Sequence, residues 1–206
     1  MRLISVIHAV HTQNGRYIDQ APVNTNYEEV LENPCKVNCY VVGTKTQAAD
    51  ICRRFNIDQI RVVPPGCSED SIAETKRVLD RVVYVARYSQ EKQHQLAVEI
   101  FANVLTEVTS AQLHFYGSGE LKSIVETQVL DLGLGGAVYV HGYSEDIRSI
   151  YRSAGLSILT SCSEGYPLGI VESIQQGCPV IANDIRYGPR DMIIDGVNGY
   201  LVPEDS

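Results

Sequence analysis

The sequence predicts an α/β fold: a doubly wound parallel sheet preceded by a smaller α/β unit. Apolar runs short enough for buried strands alternate with stretches of helical period, the pattern of parallel βαβ units. The alternation is broken once, at Pro64-Pro65-Gly66, where two prolines and a glycine stop any regular element. At 206 residues and 44% hydrophobic content there is material for a packed core.

In chain order, the first block reads as a strand over 3–7, a polar loop, a helix over 27–31, a strand over 37–42, a helix over 46–55 and a strand over 59–63. The polar stretch after the prolines connects two bodies, so the expected units are 1–63, a linker over 64–80 and a main domain over 81–206. In the second block, strands are expected over 82–86, 111–116, 137–140, 156–159, 179–182 and 200–202, with helices between. Such sheets bind ligands at the carboxyl ends of strands, beside helix N-termini at the topological switch, so motifs at those junctions carry extra weight.

Charge and cysteine content narrow the function. With 17 basic and 25 acidic residues the formal charge is -8, which argues against nucleic acid or an anionic membrane as the main partner. Any phosphate must then be held locally. Cys35, Cys39, Cys52, Cys67, Cys162 and Cys178 are scattered through a domain large enough to need no staples, and the N-terminus lacks a long apolar signal core. Reduced thiols in a cytoplasmic protein are expected. No second pair at metal-ligand spacing follows Cys35 and Cys39, so no metal site is expected. No apolar run approaches the ~20 residues that span a bilayer, so any membrane association is peripheral.

Two junctions carry most of the candidate chemistry. After the strand over 82–86 come Arg87, Tyr88, Ser89 and Lys92. Ser89 could cap the next helix and place Lys92 in its first turn, where two cations and free backbone N–H groups invite a diphosphate. The bland alternative is a solvated lysine beside a structural arginine. The other junction runs from Thr160 to Glu172: Pro167 suits the first helical position, leaving Glu164 in the loop and Glu172 about one and a half turns into the helix. Those two carboxylates, eight residues apart, could bracket a ligand at two depths of one cleft, with Gly165 and Gly169 admitting phosphate to the backbone and Tyr166, Pro167 and Leu168 beside them. Equally, Glu172 could be a solvated helix carboxylate and Glu164 a plain loop residue.

Weaker signals surround these. Gly117-Ser118-Gly119 is a glycine turn lacking the third glycine and downstream acid of a dinucleotide fingerprint, which rules against an NAD site there. His141-Gly142-Tyr143 could present backbone groups to a nucleobase or be a structural turn. His8 and His11 stand at the exit of the first strand and suit a catalytic or sugar-binding role, a metal pair or a polar loop.

In this order, Arg87 with Lys92, Gly117-Ser118-Gly119, His141-Gly142-Tyr143, Glu164 with Glu172, and Asp195-Gly196-Val197-Asn198-Gly199 resemble the retaining glycosyltransferase 4 family of the GT-B fold, built from two facing Rossmann-like domains. Residues 184–193 (DIRYGPRDMI) are most similar to poly(glycerol-phosphate) α-glucosyltransferases of wall teichoic acid synthesis, and to enzymes that glycosylate serine-rich adhesins. The resemblance implies that Arg87 and Lys92 neutralise the leaving diphosphate of a UDP-sugar, Glu164 contacts the sugar, Glu172 holds the ribose, and His8 or His11 faces the sugar and acceptor. Tyr166-Pro167 departs from many members at that position. It also implies a polymer or protein acceptor and no metal cofactor, in keeping with the lack of an Asp-x-Asp signature.

Set against that family, the first domain is reduced to about residues 1–63, so the chain alone is expected to bind its donor weakly and transfer it poorly. Exposed apolar surface would then favour oligomerisation. The rival expectation is a non-catalytic nucleotide-sugar-binding or assembly module that partners an active enzyme; a nucleotide-sugar epimerase would need further acids and a histidine in a pattern not found here.

Overall fold

The alternating pattern folds into two parallel sheets, seen in a computed structural model that describes residues 3–9, 21–66 and 75–203. In the first, β1 (Ile4–Ile7), β2 (Cys39–Val42) and β3 (Ile60–Val62) lie side by side in that order. Helices α1 (Glu28–Glu32) and α2 (Lys45–Phe55) connect them. Period-two alternation turns Ile7, Tyr40 and Val42 inward, where they meet Leu31, Ile51 and Ile57 in a small core. Thr44 caps α2 by accepting a hydrogen bond from the Gln47 amide at 3.1 Å, and Asn56 closes the helix in the left-handed region at φ 54°.

The second sheet has six strands: β4 (Val78–Val85), β5 (Gln112–Tyr116), β6 (Val138–Val140), β7 (Ala154–Leu159), β8 (Val180–Asn183) and β9 (Gly199–Val202). Their order is β6-β5-β4-β7-β8-β9, all parallel. Helices α3 (His94–Glu107), α4 (Lys122–Asp131), α5 (Ile147–Ser153), α6 (Leu168–Gln175) and the single turn α7 (Pro189–Met192) fill the crossovers. Ala97, Val98 and Phe101 on α3 recur at helical spacing and pack with Val125, Val129, Leu113 and Phe115 in the main core. The order of strand addition reverses between β4 and β7: β5 and β6 are laid down on one side, β8 and β9 on the other.

Several boundaries differ from the sequence reading. β4 begins at Val78, four residues ahead of the expected 82 and inside the stretch read as linker. The Arg77 guanidinium pins this extension by donating to the carbonyls of Tyr151 (3.2 Å), Ala154 (2.8 Å) and Gln176 (2.6 Å). Gly155 lets β4 approach there, since a Cβ on it would lie 2.1 Å from the Leu79 carbonyl oxygen. β2 starts at Cys39 because Pro34–Lys36 forms a 3₁₀ turn closed by the Val37 amide on the Pro34 carbonyl at 3.1 Å. Among the described residues no helix is long and apolar enough to cross a membrane.

The two sheets meet around the loop after β7. A Cβ on Gly165 would sit 2.2 Å from the His8 carbonyl oxygen, and one on Gly43 would sit 2.8 Å from Tyr166 Cδ2. Beside them, Asp50 of α2 accepts a bidentate pair from Arg186 at 2.6 and 2.7 Å.

Candidate functional site

The reversal between β4 and β7 is where an open α/β sheet offers a crevice at its strand ends. Lys92 follows β4, Glu164 follows β7, and the two meet as an ion pair at 2.5 Å, with side chains 17% and 8% exposed. Lys92 does not occupy the first turn of the long helix as expected. It ends a separate 3₁₀ turn, Gln90–Lys92, because Gln93 enters the left-handed region (φ 51°) and breaks the helix before α3 begins at His94. Ser89 caps nothing through its side chain; its hydroxyl donates to Glu91 Oε1 at 2.6 Å.

The Lys92 turn is sewn to the β7 exit. Thr160 Oγ1 donates to the carbonyls of Lys92 (3.1 Å) and Gln93 (3.0 Å), the Cys162 amide donates to the Glu91 carbonyl at 3.0 Å, and the buried Tyr84 hydroxyl donates to the Lys92 carbonyl. These contacts hold the ammonium on Glu164 as backbone geometry, not as a chance surface encounter. Arg87 takes a different course: its side chain is exposed and pairs with Glu91 at 3.4 Å. The hydrogen bond from Ser89 and the charges of Lys92 and Arg87 outweigh burial and keep the Glu91 carboxyl below its ordinary pKa.

Pro167 is the N-cap of α6, one residue short of the expected first helical position, and Glu172 lies on the fifth helical residue. Glu172 stands apart from the Lys92–Glu164 ion pair. It lines a cleft of about 640 Å³ with Leu168, Val171, Gln175 and Gln176 on its own helix side, Glu145 to Arg148 opposite, and Gly66 at the rim. Lys92 draws Glu164 inward to the strand ends, and Glu172 stands on the face of α6 turned towards α5. The residue is exposed, yet the cleft wall desolvates its carboxyl enough to raise the pKa, with the Arg148 charge pulling the other way.

The glycines expected to admit phosphate have packing reasons of their own. Gly165 abuts the His8 backbone, and a Cβ on Gly169 would meet Tyr151 Oη at 3.1 Å and the Val85 carbonyl at 3.3 Å. A Cβ on Gly117 would lie 1.9 Å from the Ala86 carbonyl oxygen, and one on Gly119 would lie 2.4 Å from that of Tyr88. The Gly117 turn and the His141 loop are joined by the Gly117 amide on the Gly142 carbonyl at 3.1 Å, and the Tyr88 hydroxyl donates to the His141 carbonyl at 3.0 Å. So the exits of β4, β5 and β6 form one knitted rim, with open space around Gly142 and an exposed Tyr143 upon it.

Of the two histidines, His8 lies at the seam, exposed, with its backbone against Gly165. The adjoining Ala9 is pinned by its amide on Tyr27 Oη (3.2 Å) and by Gln47 Nε2 on its carbonyl (2.7 Å). His11 lies outside the described residues. Sequence reasoning missed Tyr84 and Asp50; Glu91 and Thr160 stand in the two junctions singled out, and Arg186 and Tyr187 in the stretch 184–193, but none of these is assigned a role by sequence.

Two parallel α/β units meeting at a seam beside the β7 exit have the arrangement of the GT-B fold, and the chain superposes on GT-B glycosyltransferase structures. The sequence profile described as "Glycosyl transferases group 1" matches residues 70–206, and the chain belongs to that family. Among characterised relatives, it is 34% identical over 204 residues to the poly(glycerol-phosphate) alpha-glucosyltransferase of Bacillus subtilis, covering 97% of this chain and 30% of that protein. It is 28% identical over 197 residues to the poly(ribitol-phosphate) alpha-N-acetylglucosaminyltransferase of Staphylococcus aureus, covering 96% and 40%. A crystal structure of S. aureus TarM with UDP, alpha-GlcNAc-glycerol and Fondaparinux superposes with a TM-score of 0.92 at 27% identity, over 98% of this chain and 41% of that one. The pneumococcal O-GlcNAc transferase GtfA, solved with UDP and GlcNAc, gives 0.88 at 28% identity, over 98% and 41%. The chain thus spans well under half the length of these relatives.

Proposed function

We propose that this chain forms the donor site of a retaining glycosyltransferase that moves a hexose, glucose or N-acetylglucosamine, from a UDP-sugar to a polymer acceptor such as glycerol-phosphate teichoic acid. The carrying observation is the Lys92–Glu164 pair at the β4/β7 switch. As the glycosidic bond breaks, negative charge grows on the departing diphosphate. Lys92 is already anchored where that charge would sit, and Arg87 on the adjacent exposed rim can swing from Glu91 to join it. Glu164, relieved of Lys92, turns to the sugar hydroxyls, and Glu172 in its cleft takes the ribose. About three charge-assisted contacts of ~2 kcal/mol each would supply ~6 kcal/mol, a rate factor on the order of 10⁴. In this reading the cations stand in for a divalent metal.

The relatives' names support the donor and acceptor classes, and the UDP in the TarM and GtfA structures supports the base. The free cysteines among the described residues suit a reducing, cytoplasmic setting. Calorimetric titration without divalent metal, comparing UDP, UDP-glucose and UDP-N-acetylglucosamine with ADP and GDP counterparts, tests the reading. Uridine preference at micromolar to millimolar affinity is expected, and purine preference would overturn it. A second reading, an assembly module beside an active partner or a second copy of itself, draws on the likeness to the GtfA/B complex (TM-score 0.82, 27% identity). Glu164→Gln separates the two: turnover falls if the chain is the enzyme and survives if it is only a partner.

A further inference from the structure

The stretch 184–193, set apart in the sequence only by its resemblance, is a connector between the two units. Asp50 on α2 has a side chain 6% exposed and accepts three short hydrogen bonds from across the seam: Arg186 Nε at 2.7 Å, Arg186 Nη2 at 2.6 Å and Tyr187 Oη at 2.6 Å. Arg53 adds a second cation at 3.6 Å from α2 itself. Tyr187 is fully buried, and its hydroxyl donates to this carboxylate. The next residue, Gly188, has φ 95° and lies so close to Pro167 that a Cβ there would be 2.2 Å from Pro167 Cδ. Pro167 caps α6, which carries Glu172, and ends the loop that carries Glu164. The other side of that loop rests on the first unit, through Gly165 on the His8 carbonyl and Tyr166 on Gly43. Asp184 and Arg190 pair at the base of the same stretch and brace it.

We propose that Asp50 is a positioning residue for sugar transfer: by holding Arg186 and Tyr187 it presses Gly188 against Pro167 and sets the Glu164–Pro167 loop against the His8 exit of the first unit. The inference rests on the donor-site reading above. The physical ground is that a carboxylate bound by a bidentate guanidinium and a phenol has little positional freedom. The path to the loop runs through the buried Tyr187 and the close approach of Gly188 to Pro167, three residues from Glu164. In the donor-site reading the diphosphate sits on Lys92, whose turn is held independently by Tyr84, Thr160 and Cys162, and the ribose on Glu172 inside α6, so loosening the loop is expected to bear more on the sugar than on the nucleotide.

The test uses the full chain and two variants, Asp50→Asn and Tyr187→Phe; the second keeps the buried ring and removes one hydroxyl, so it folds even where the first does not. Amide chemical shifts are compared first, with no ligand present. Changes are expected at Gly43, Gly165 and Tyr166 as well as beside the substitution. Calorimetry follows with UDP and UDP-glucose: affinity for UDP stays within about twofold, while the ratio of UDP-glucose to UDP affinity changes at least threefold. Shift changes that stop at Gly188, or UDP and UDP-glucose affinities that fall by a common factor as in general destabilisation, overturn the role of Asp50. A wild-type chain that binds neither ligand overturns the donor reading instead.

Discussion

Lys92 and Glu164 stand 72 residues apart in the chain and are joined by one ion pair at the point where the sheet changes direction. Because both side chains are largely buried, removing either one alone strands the other. Lys92→Ala is expected to lower stability by roughly 1–3 kcal/mol and to weaken UDP affinity about ten- to a hundredfold. Glu164→Gln keeps the shape, frees the ammonium and is expected to leave UDP affinity equal or tighter while turnover falls about a hundredfold or more. Thermal melts and calorimetry on both variants check the contrast; equal loss of UDP binding in the two would contradict it.

Gly165→Ala and Gly142→Ala form a matched pair. The first would drive a methyl to 2.2 Å from the His8 carbonyl, whereas the second meets nothing within 4 Å. Gly165→Ala should therefore cost about 1–3 kcal/mol and shift the seam, while Gly142→Ala should stay within about 0.5 kcal/mol of wild type. Denaturant midpoints of the two proteins decide this.

His94 is buried against Tyr84, Tyr88 and Phe115, and neither ring nitrogen has a hydrogen-bond partner among the described residues. Burial, reinforced by the Lys92 charge, lowers its pKa from 6.5 to about 4. The folded state thus resists a proton that the unfolded chain accepts. Its stabilising contribution is complete above pH 6.5 and declines as pH falls towards 4, by on the order of 3 kcal/mol over that window. Melting temperature measured from pH 7.5 to 5 should fall, and the slope should flatten in His94→Leu.

Arg77→Ala removes the donor shared by three carbonyls where β4 begins. A loss of about 2–4 kcal/mol is expected, with faster hydrogen exchange over residues 78–82 and 154–156 before the rest of the sheet. Uniform exchange across the sheet would show that the extension of β4 does not depend on this anchor.

The strands, their parallel class and the two main junctions could be read from the amino-acid order alone, since each follows from local rules: apolar runs of strand length, helical period between them, and Pro or Gly where elements stop. Local rules also placed Lys92 and Glu164 at strand exits. They could not show that β4 and β7 are neighbours, for sheet order depends on which crossovers pack together; only the folded chain turned two candidate residues into a pair. The same limit explains the errors. A glycine's neighbour across a seam and the grip of Asp50 on Arg186, 136 residues later, are both contacts between distant segments, whose geometry is set by packing and has no local signature.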